Sequence, residues 1–216
     1  MDLDPRALAA FRTSWEYSEA YVAEDAVLAT AREQALEVGC VPIHPGAGAA
    51  LRLLAAVLDA RHVVEIGTGT GVSGIWLLRG MHQDGVLTSV DIEAEHQRRA
   101  REAFAAEGVS VSRTRLITGR ALEVLPRLAD ASYDLVLADG AKEEYPDYVE
   151  EAARLLRTGG VLALDNSLWH DKVADPAQRD PDTIAIRGTL AALSNDERWL
   201  VALLPVGDGL LTAVRR

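Results

Sequence analysis

The sequence predicts an α/β protein in which one sheet of seven strands, most of them parallel, carries helices on both faces and ends in an antiparallel hairpin. Two observations lead to this prediction. From about residue 60 onward, short runs of β-branched and apolar residues alternate with longer segments whose apolar residues recur every three or four positions, which is typical of a parallel sheet covered by helices. The last two apolar runs, 199–204 and 210–214, are separated by only a short Gly/Asp turn, and such runs pair as a hairpin.

The first 60 residues are predicted to be a helical cap. Pro42 and Pro45 interrupt its helical pattern, and a second helix from Ala49 to Leu58 leads into the first strand. Five parallel strands follow, each ending at a glycine or an aspartate, at 62–66, 86–90, 115–118, 133–138 and 160–164. Helices are expected between them at about 72–81, 94–107, 120–129 and 145–157, and near 183–194 before the hairpin. We therefore expect a single domain over residues 1–216, with the cap at 1–60 and the α/β core at 61–216.

Composition narrows the class of function. The 216 residues include 33 acidic and 22 basic side chains, a formal net charge of −11, and one cysteine, Cys40. The charge disfavours an electrostatic grip on nucleic acid or anionic lipid, and a single thiol excludes an internal disulfide and a thiolate-rich zinc site. No apolar stretch is long enough to span a bilayer, and residues 1–5 lack the features of a signal peptide. We expect a cytoplasmic protein whose chemistry concerns small molecules.

A glycine-rich loop follows the first predicted strand. Gly67, Gly69, Gly71 and Gly74 would let the backbone approach a ligand that a Cβ atom would exclude. The last three also satisfy G-x-G-x-x-G, and Asp91 lies 22 residues beyond Gly69, the spacing of the ribose carboxylate in a dinucleotide site. This loop alone leaves three interpretations open: a purely structural turn, a dinucleotide site and an S-adenosylmethionine (SAM) site.

Two features favour SAM. Glu65 stands inside the first strand, where a carboxylate suits a cationic amino-acid ligand but would repel a pyrophosphate. The terminal hairpin is the second feature, because a dinucleotide enzyme would need a second mononucleotide half and a substrate domain, for which the chain is too short. Asp91, at the end of the second strand, is then expected to accept hydrogen bonds from the ribose hydroxyls.

Polar side chains also end the fourth and fifth predicted strands. Asp139 follows the fourth strand, and Asp165 and Asn166 follow the fifth, so that their oxygens should converge beside the glycine loop. Two carboxylates and an amide suit Mg²⁺ or Ca²⁺. Capping of the loops that follow these strands is the alternative interpretation.

Three side chains near this cluster are weighed for a role in the reaction. Lys142, three residues after Asp139, would hold a substrate oxygen or accept its proton, or else lie on the surface. Trp169 would wall an aromatic substrate or serve only in packing. His170 has no orienting partner that the sequence identifies, and we expect no catalytic role for it.

Together these motifs resemble the cation-dependent O-methyltransferases related to catechol and caffeoyl-CoA O-methyltransferases. The resemblance covers about residue 40 to the C-terminus, where the ending from Arg187 through Pro205-x-x-Asp208-Gly209 is similar too. It rests on five motifs in the same order, Glu65-Ile66-Gly67-Thr68-Gly69-Thr70-Gly71-Val72-Ser73, Ser89-Val90-Asp91, Asp139-x-x-Lys142-x-x-Tyr145, Leu155-Leu156-x-x-Gly159-Gly160 and Asp165-Asn166-x-x-Trp169. It implies a Rossmann-like methyltransferase sheet and transfer of a methyl group from SAM to one of two vicinal aromatic hydroxyls.

The resemblance also implies roles for single residues. The cofactor would be lined by Ile43, Glu65, Gly67, Thr68, Gly69, Ser73, Asp91, Ile92, Gly119, Arg120, Ala121 and Asp139. Asp139, Asp165 and Asn166 match the metal ligands, with Mg²⁺ expected and Ca²⁺ or Mn²⁺ as alternatives. Lys142 matches the proposed base. Asp139 is also expected to be catalytic, and Trp169 and Lys142 are expected to contact the substrate. A cation chelated by both hydroxyls lowers their pKa and holds one in line with the sulfonium methyl.

Two positions depart from the family pattern. Ala141 stands where the family commonly has a second aspartate, and Arg120 where it often has an aspartate, so contacts near the metal and the adenine amine are expected to differ. Three alternatives stay open: a tRNA hydroxyuridine O-methyltransferase, a dinucleotide-dependent oxidoreductase and a SAM-binding protein without catalysis. A homodimer is expected, with Trp15, Tyr17 and Tyr21 packed onto a twin subunit; packing onto their own domain is the alternative.

Overall fold

A seven-stranded sheet runs through the computed structural model, which describes residues 4–216 and the side chains of all of them except 5–9. Its strands are β1 His62–Ile66, β2 Val86–Asp91, β3 Thr114–Thr118, β4 Tyr133–Ala138, β5 Leu156–Leu164, β6 Trp199–Leu204 and β7 Leu210–Arg215. They lie side by side in the order β3-β2-β1-β4-β5-β7-β6. The first five pair in parallel, whereas β7 pairs antiparallel with both β5 and β6. The predicted sheet and its C-terminal hairpin are confirmed, and β7 is the strand that joins the hairpin to the sheet.

The strand order reverses at β1. The chain places β2 and β3 on one side of β1, then returns to place β4 on the other side. Glu65 of β1 thereby lies in register between Ser89 of β2 and Leu137 of β4. Ligands of such sheets bind outside the carboxyl ends of the strands where the order reverses. The topology therefore directs attention to the C-terminal ends of β1 and β4.

Helices cover both faces of the sheet. They are α1 Pro5–Ala20, α2 Ala26–Glu37, α3 Pro45–Val57, α4 Val72–Gly80, α5 Ala94–Ala106, α6 Ala121–Val124, α7 Tyr145–Leu155 and α8 Pro181–Asn195. Strand side chains alternate between two cores, since Val63 and Leu135 pack with α2 to α5 and Val64 and Val136 pack with α6 to α8. Both faces of the central strands β1, β2 and β4 are therefore buried, which leaves their ends as the place for a site.

Some predicted boundaries are wrong. The cap contains three helices, and the helix expected from Ala49 begins at Pro45, because proline suits the first turn, where its missing N–H is not needed. In place of a helix over 120–129 there is the single turn α6 and a 3₁₀ turn over 125–127, because Pro126 cannot donate the next helical hydrogen bond. The fifth strand begins at Leu156, directly after α7, which shortens the helix expected over 145–157.

Within residues 4–216, no helix combines the length and the apolar character needed to cross a bilayer. The assignment of residues 1–216 to one domain stays a prediction.

Candidate active site

A cavity of about 390 Å³ lies at the C-terminal ends of β1 and β4. It is bordered by the glycine loop after β1, by residues 40–43 of the cap, and by the segments that follow β2, β4 and β5. A second cavity of about 260 Å³ shares Gly67, Asp91, Ile92 and Gly140 with it and reaches residues 119–121. The two cavities bring together these predicted site residues: Ile43, Gly67, Thr68, Gly69, Ser73, Asp91, Ile92, Gly119, Arg120, Ala121, Asp139, Lys142, Asn166 and Trp169. Glu65 and Asp165 border neither cavity and are almost completely buried.

Gly67 lets the first loop approach the end of β4. Its φ is +93°, and a Cβ atom there would lie 2.4 Å from the carbonyl oxygen of Asp139. The backbone on either side is fixed, because Gly67 N donates to Val90 O at 2.9 Å and Asp139 N donates to Ile66 O at 2.8 Å. Only glycine fits this close approach without moving Asp139.

Asp91 ends β2 with its carboxylate already oriented. Gly69 N donates to its Oδ2 at 2.9 Å, and Glu93 N donates to its Oδ1 at 2.9 Å. The ring Nδ1 of His96 lies 3.3 Å from Oδ2. Sequence reasoning missed His96, which also borders the cavity. Its position in the first turn of α5, directly after the strand that ends at Asp91, could have predicted that it lies near this carboxylate.

Glu65 lies beneath the glycine loop rather than at the cavity. Its side chain is fully buried, with Ser73 Oγ donating to Oε1 at 2.6 Å and Ser89 Oγ donating to Oε2 at 2.5 Å. Burial raises the pKa of Glu65 to about 7, although the two hydrogen bonds act in the opposite direction. Direct contact between Glu65 and a cofactor stays a prediction, whereas its contact with Ser73, which borders the cavity, is present in the structure.

Asp139 and Asp165 form an acidic pair in which Asp165 is buried and Asp139 is partly exposed to the cavity. Lys142 Nζ donates to Asp139 Oδ1 at 2.8 Å, while Asp165 Oδ1 has no hydrogen-bond partner among residues 4–216. Burial raises the pKa of both carboxyl groups, and the charge of Asp139 raises that of Asp165 further. Such a pair is electrostatically costly unless a cation lies nearby.

Asn166 follows Asp165 in a left-handed conformation, with φ at +53°. Its Nδ2 donates to Asp208 Oδ2 at 3.4 Å, and the charge of Asp208 contributes to the raised pKa of both Asp139 and Asp165. Within the described chain, no three His, Cys, Asp or Glu side chains are grouped as a metal site would require. The predicted metal ligands are two carboxylates, Asp139 and Asp165, and the amide of Asn166, so they do not form a group of three His, Cys, Asp or Glu side chains.

The loop after β5 brings Trp169 to the cavity. Four of its non-glycine residues have positive φ, namely Asn166, Trp169, His170 and Asp171. Lys142 Nζ lies 5.7 Å and Lys172 Nζ 5.9 Å from the centroid of the Trp169 ring. Non-glycine residues in this conformation are uncommon and cluster at functional sites. The loop places the Trp169 ring at one edge of the cavity, next to the Lys142 side chain.

A family model for O-methyltransferases matches residues 13–216. The chain belongs to the O-methyltransferase family. It is 52% identical over 201 residues to a protein of Mycobacterium tuberculosis named as an O-methyltransferase, which covers 93% of this chain and 90% of the relative.

Solved structures agree with the O-methyltransferase assignment. A protein from Corynebacterium glutamicum is 35% identical, with a TM-score of 0.87 and 97% of each chain covered. The O-methyltransferase TomG from Streptomyces achromogenes, involved in tomaymycin synthesis and solved in complex with SAM, is 30% identical, with a TM-score of 0.83 over 93% of this chain and 94% of that one. The prediction of a SAM-dependent O-methyltransferase is confirmed against a dinucleotide-dependent oxidoreductase. The roles of single residues stay predictions.

A third cavity of the O-methyltransferase, of about 400 Å³, lies between α1 and the turn that joins β6 to β7. It shares His170 with the first cavity, and its wall also includes Phe11, Trp15, His44, Leu168 and Asp208. The rings of Trp15 and His44 meet edge to face at 5.9 Å, so Trp15 packs onto its own chain. The sequence analysis named Trp15 for packing and Pro205 and Asp208 for the family resemblance, but it did not predict a cavity here, because the first 40 residues carry no motif.

Glu19 of α1 connects the cap of the O-methyltransferase to both sides of this third cavity. Its side chain is buried, with Oε2 accepting from Gly46 N at 2.9 Å and Oε1 accepting from Gly207 N at 2.7 Å. Gly46 belongs to the first turn of α3, beside His44, and Gly207 precedes Asp208. One carboxylate therefore fixes the separation of the two walls.

The third cavity adjoins the first at His170, and we expect the methyl acceptor to extend into it. Replacing Glu19 by alanine is therefore expected to raise the KM for the acceptor about 5- to 10-fold and to change SAM affinity little, because two backbone N–H groups lose their acceptor and the walls of this cavity shift. Initial rates at saturating SAM and calorimetry with SAM measure the two effects. Glu16→Ala is the matched control, since Glu16 lies on the same helix but is exposed and pairs only with Arg12 among the contacts described. An unchanged acceptor KM in Glu19→Ala would contradict this role.

Proposed function

We propose that this enzyme transfers the methyl group of SAM to one hydroxyl of a small catechol-like acceptor, with a divalent cation held by Asp139, Asp165 and Asn166. The observation that carries the proposal is the acidic pair formed by Asp139, which borders the cavity, and Asp165, which is buried behind it. Asp165 has one oxygen with no hydrogen-bond partner in the described chain, and Asp139 has Lys142 as its cationic partner. Buried carboxylates of this kind call for a cation.

The first cavity suits a cationic cofactor such as SAM. Asp91 and Asp139 border it, and their charges favour a ligand that carries sulfonium and ammonium groups. We assign Asp91 to the ribose hydroxyls, because two backbone N–H donors hold its carboxylate at the strand end. Residues 119–121 in the second cavity are then assigned to the adenine, with Arg120 held by Glu144 at 3.0 Å. The SAM complex of TomG supports the same cofactor here.

The oxygen ligands fit a hard divalent cation. Mg²⁺ prefers carboxylate and amide oxygens and keeps positions open for water or substrate. Tyr145 fixes the backbone of this cluster, since its buried O–H donates to Asp165 O at 2.8 Å. A cation bound there would lower the pKa of a chelating acceptor hydroxyl. Asp139, Asp165 and Asn166 are the residues we assign to hold it.

Lys142 is assigned to the acceptor hydroxyl. Its side chain is 10% exposed, and Nζ lies between Asp139 Oδ1, at 2.8 Å, and the Trp169 ring, at 5.7 Å from the centroid. The amine therefore lies where an aromatic acceptor stacked on Trp169 would present its hydroxyl to the acidic pair. To act as the base, Lys142 must first give up its own proton, which a divalent cation bound by Asp139 would favour by replacing the ammonium as the partner of that carboxylate. The neutral amine then holds the acceptor oxygen and takes up its proton as the methyl group is transferred.

Lys142→Met is expected to lower kcat for methyl transfer about 100-fold or more, because the group that receives the proton is lost. Lys172→Met is the matched control. Lys172 lies at a similar distance, 5.9 Å, from the same ring, but it is more exposed and pairs with Asp180. The rate of S-adenosylhomocysteine formation with a catechol acceptor measures both variants. If Lys142→Met were as active as Lys172→Met, Lys142 would not be the base.

The whole proposal is tested with a panel of catechols, SAM and Mg²⁺. We expect methylation of at least one catechol, loss of that activity with a chelator and its return with added Mg²⁺. No transfer to any catechol, despite SAM binding, would contradict the proposed acceptor class. Retention of the protein on bulk tRNA with a steep salt dependence would instead favour a tRNA substrate.

A homodimer is also proposed. Its support is the exposure of Tyr17 in α1 and Tyr21 just after it, at 70% and 73%. Two neighbouring aromatic rings in solvent form an apolar patch that a second subunit would cover. Sedimentation is expected to give twice the chain mass of 23.3 kDa, and Tyr17→Ser with Tyr21→Ser should return the mass to that of one chain. Location in the cytoplasm stays a prediction.

A further inference from the structure

A chain of buried hydrogen bonds runs under the glycine loop and has Glu65 at its end. Ser89 Oγ, which donates to Glu65 at 2.5 Å, lies 2.6 Å from Thr68 Oγ1. Gln97 Nε2 donates to Thr68 Oγ1 at 2.8 Å. A second branch joins Glu65 to Ser73 at 2.6 Å. Thr68 and Ser73 are the two members of this chain that border the cavity.

The direction of each proton in this chain follows from counting donors. The carbonyl oxygens of Ser89 and Ile117, each 3.3 Å from Gln97 Nε2, can only accept, so the atom that faces them is the amide nitrogen. Its two hydrogens are shared among these carbonyls and Thr68 Oγ1, the nearest acceptor at 2.8 Å, so Gln97 donates to Thr68. Thr68 then gives its own proton to Ser89, and Ser89 gives its proton to Glu65. When Glu65 is ionised, Ser73 also donates to it, and both hydroxyls at the cavity offer only lone pairs to a ligand.

Adding one proton to Glu65 reverses part of this order. If the proton is on Oε1, Glu65 donates to Ser73, and the proton of Ser73 is free to point into the cavity. If it is on Oε2, Glu65 donates to Ser89, Ser89 donates to Thr68, and the proton of Thr68 is released instead. Either position gives the cavity one hydroxyl donor that it lacks when Glu65 is ionised.

We propose that protonated Glu65 is a positioning residue for the cofactor: it turns one hydroxyl proton of Ser73 or Thr68 into the cavity, where that proton is donated to the carboxylate of the methionine end of SAM. The inference rests on the proposed placement of SAM in the first cavity. It replaces direct contact between Glu65 and the cofactor with contact through a hydroxyl group. SAM binding then takes up a proton at Glu65.

The surroundings of Glu65 favour the protonated form. The charged groups that face it are Asp91 at the end of β2 and Asp139 at the end of β4, and both raise its pKa in addition to burial. His96 of α5 contacts Asp91, and Lys142 contacts Asp139. From α4 the facing group is the neutral hydroxyl of Ser73. The pKa of about 7 places the change of state within the range in which binding is easily measured.

The test is the dissociation constant of SAM, measured by calorimetry in chelator from pH 6 to pH 8.5, for wild type and Glu65→Gln. Binding to wild type is expected to weaken roughly 30-fold over this range, because Glu65 is ionised above its pKa and must take up a proton before SAM can bind. Glutamine is neutral and has one donor and one acceptor, as protonated Glu65 has. Glu65→Gln should therefore match wild type at pH 6 and bind SAM roughly 30-fold more tightly than wild type at pH 8.5.

The amino group of SAM titrates equally in both experiments, so the difference between the two proteins isolates Glu65. The same pH dependence in wild type and Glu65→Gln would overturn the inference and leave the proposed function standing. Absence of SAM binding to wild type at every pH would instead overturn the proposed function. A purely structural role predicts weaker binding by Glu65→Gln at all pH values, which would also overturn the inference.

A second variant keeps the test decisive if Glu65→Gln does not fold. The double variant Thr68→Val with Ser73→Ala retains Glu65 but removes both hydroxyls that border the cavity. It is expected to bind SAM at least 10-fold more weakly than wild type at pH 6 and to lose the excess pH dependence, because no proton can be turned towards the ligand. Retention of the wild-type pH dependence in this variant would overturn the inference.

Discussion

Asp165→Asn is expected to make the metal-free protein more stable and to remove methyl transfer. Asp165 is 2% exposed, and one of its oxygens lacks a hydrogen-bond partner in the described chain. Burial, followed by the charge of Asp139, raises its pKa well above the ordinary value. A carboxyl group with a raised pKa contributes most to stability below its unfolded pKa, and this contribution is lost as the pH rises through the folded value. Asparagine has no such loss.

Thermal unfolding in chelator measures this effect. Asp165→Asn should exceed wild type in unfolding free energy by about 1–2 kcal/mol at pH 8, and the difference should vanish near pH 4. Added Mg²⁺ should raise the Tm of wild type and leave that of Asp165→Asn unchanged. Methyl transfer should fall about 1,000-fold, because a ligand of the proposed cation is lost.

Asp147→Asn is the matched control, since Asp147 is exposed on α7 and borders none of the three cavities described above. It should leave the Mg²⁺-dependent rise in Tm and the transfer rate unchanged. Binding of Mg²⁺ to Asp165→Asn with wild-type affinity, measured by calorimetry, would show that the proposed cation site is wrong.

Gly67→Ala is expected to cost about 3 kcal/mol of stability and to weaken SAM binding at least 100-fold. Two separate effects combine at this position. The φ of +93° is unfavourable for alanine, and the new Cβ would lie 2.4 Å from the carbonyl oxygen of Asp139. The end of β4 must therefore shift, and with it the Asp139 carboxylate at the edge of the cavity.

Gly108→Ala separates the two effects. Gly108 has a similar φ of +77°, but nothing lies within 4 Å of the position that a Cβ atom would take. Only the conformational cost, about 1 kcal/mol, is expected there, with SAM affinity unchanged. Chemical denaturation and calorimetry with SAM measure both variants. Equal losses in Gly67→Ala and Gly108→Ala would show that the contact with Asp139 has no effect on the cofactor.

Local signals in the sequence were sufficient for most of the fold. Each parallel strand contains a short apolar run with a glycine or an aspartate at its C-terminal end, and the apolar run reflects the burial of both faces of the central strands. The helix expected over 120–129 is wrong because the apolar periodicity continues through Pro126, although that residue cannot donate a helical hydrogen bond. The spacing of apolar residues indicates only which face of a segment is buried. The missing N–H of Pro126 does not alter that spacing, so the pattern does not reveal the break in the helix.

The sequence pattern predicts the candidate site where its residues follow strands, and the family resemblance adds Ile43 of the cap. Asp91, Asp139 and Asn166 border the cavity because parallel strands bring their carboxyl ends to one edge. Glu19 has no such signal, since its partner Gly207 lies 188 residues away in the chain. The position of Glu65 beneath the loop depends on which hydroxyls face it across the sheet, and spacing along one strand does not carry that information.

The order of the last two strands has a consequence for biosynthesis. β7 lies between β5 and β6 in the sheet, although it is synthesised after both. The turn before it contains Gly207 and Asp208, which meet Glu19 of the first helix and Asn166. Chains emerge from the ribosome N-terminus first and residue by residue. The nascent chain therefore cannot complete the wall of the third cavity, or close the sheet around β5, until β7 has emerged and has been inserted between two strands already made.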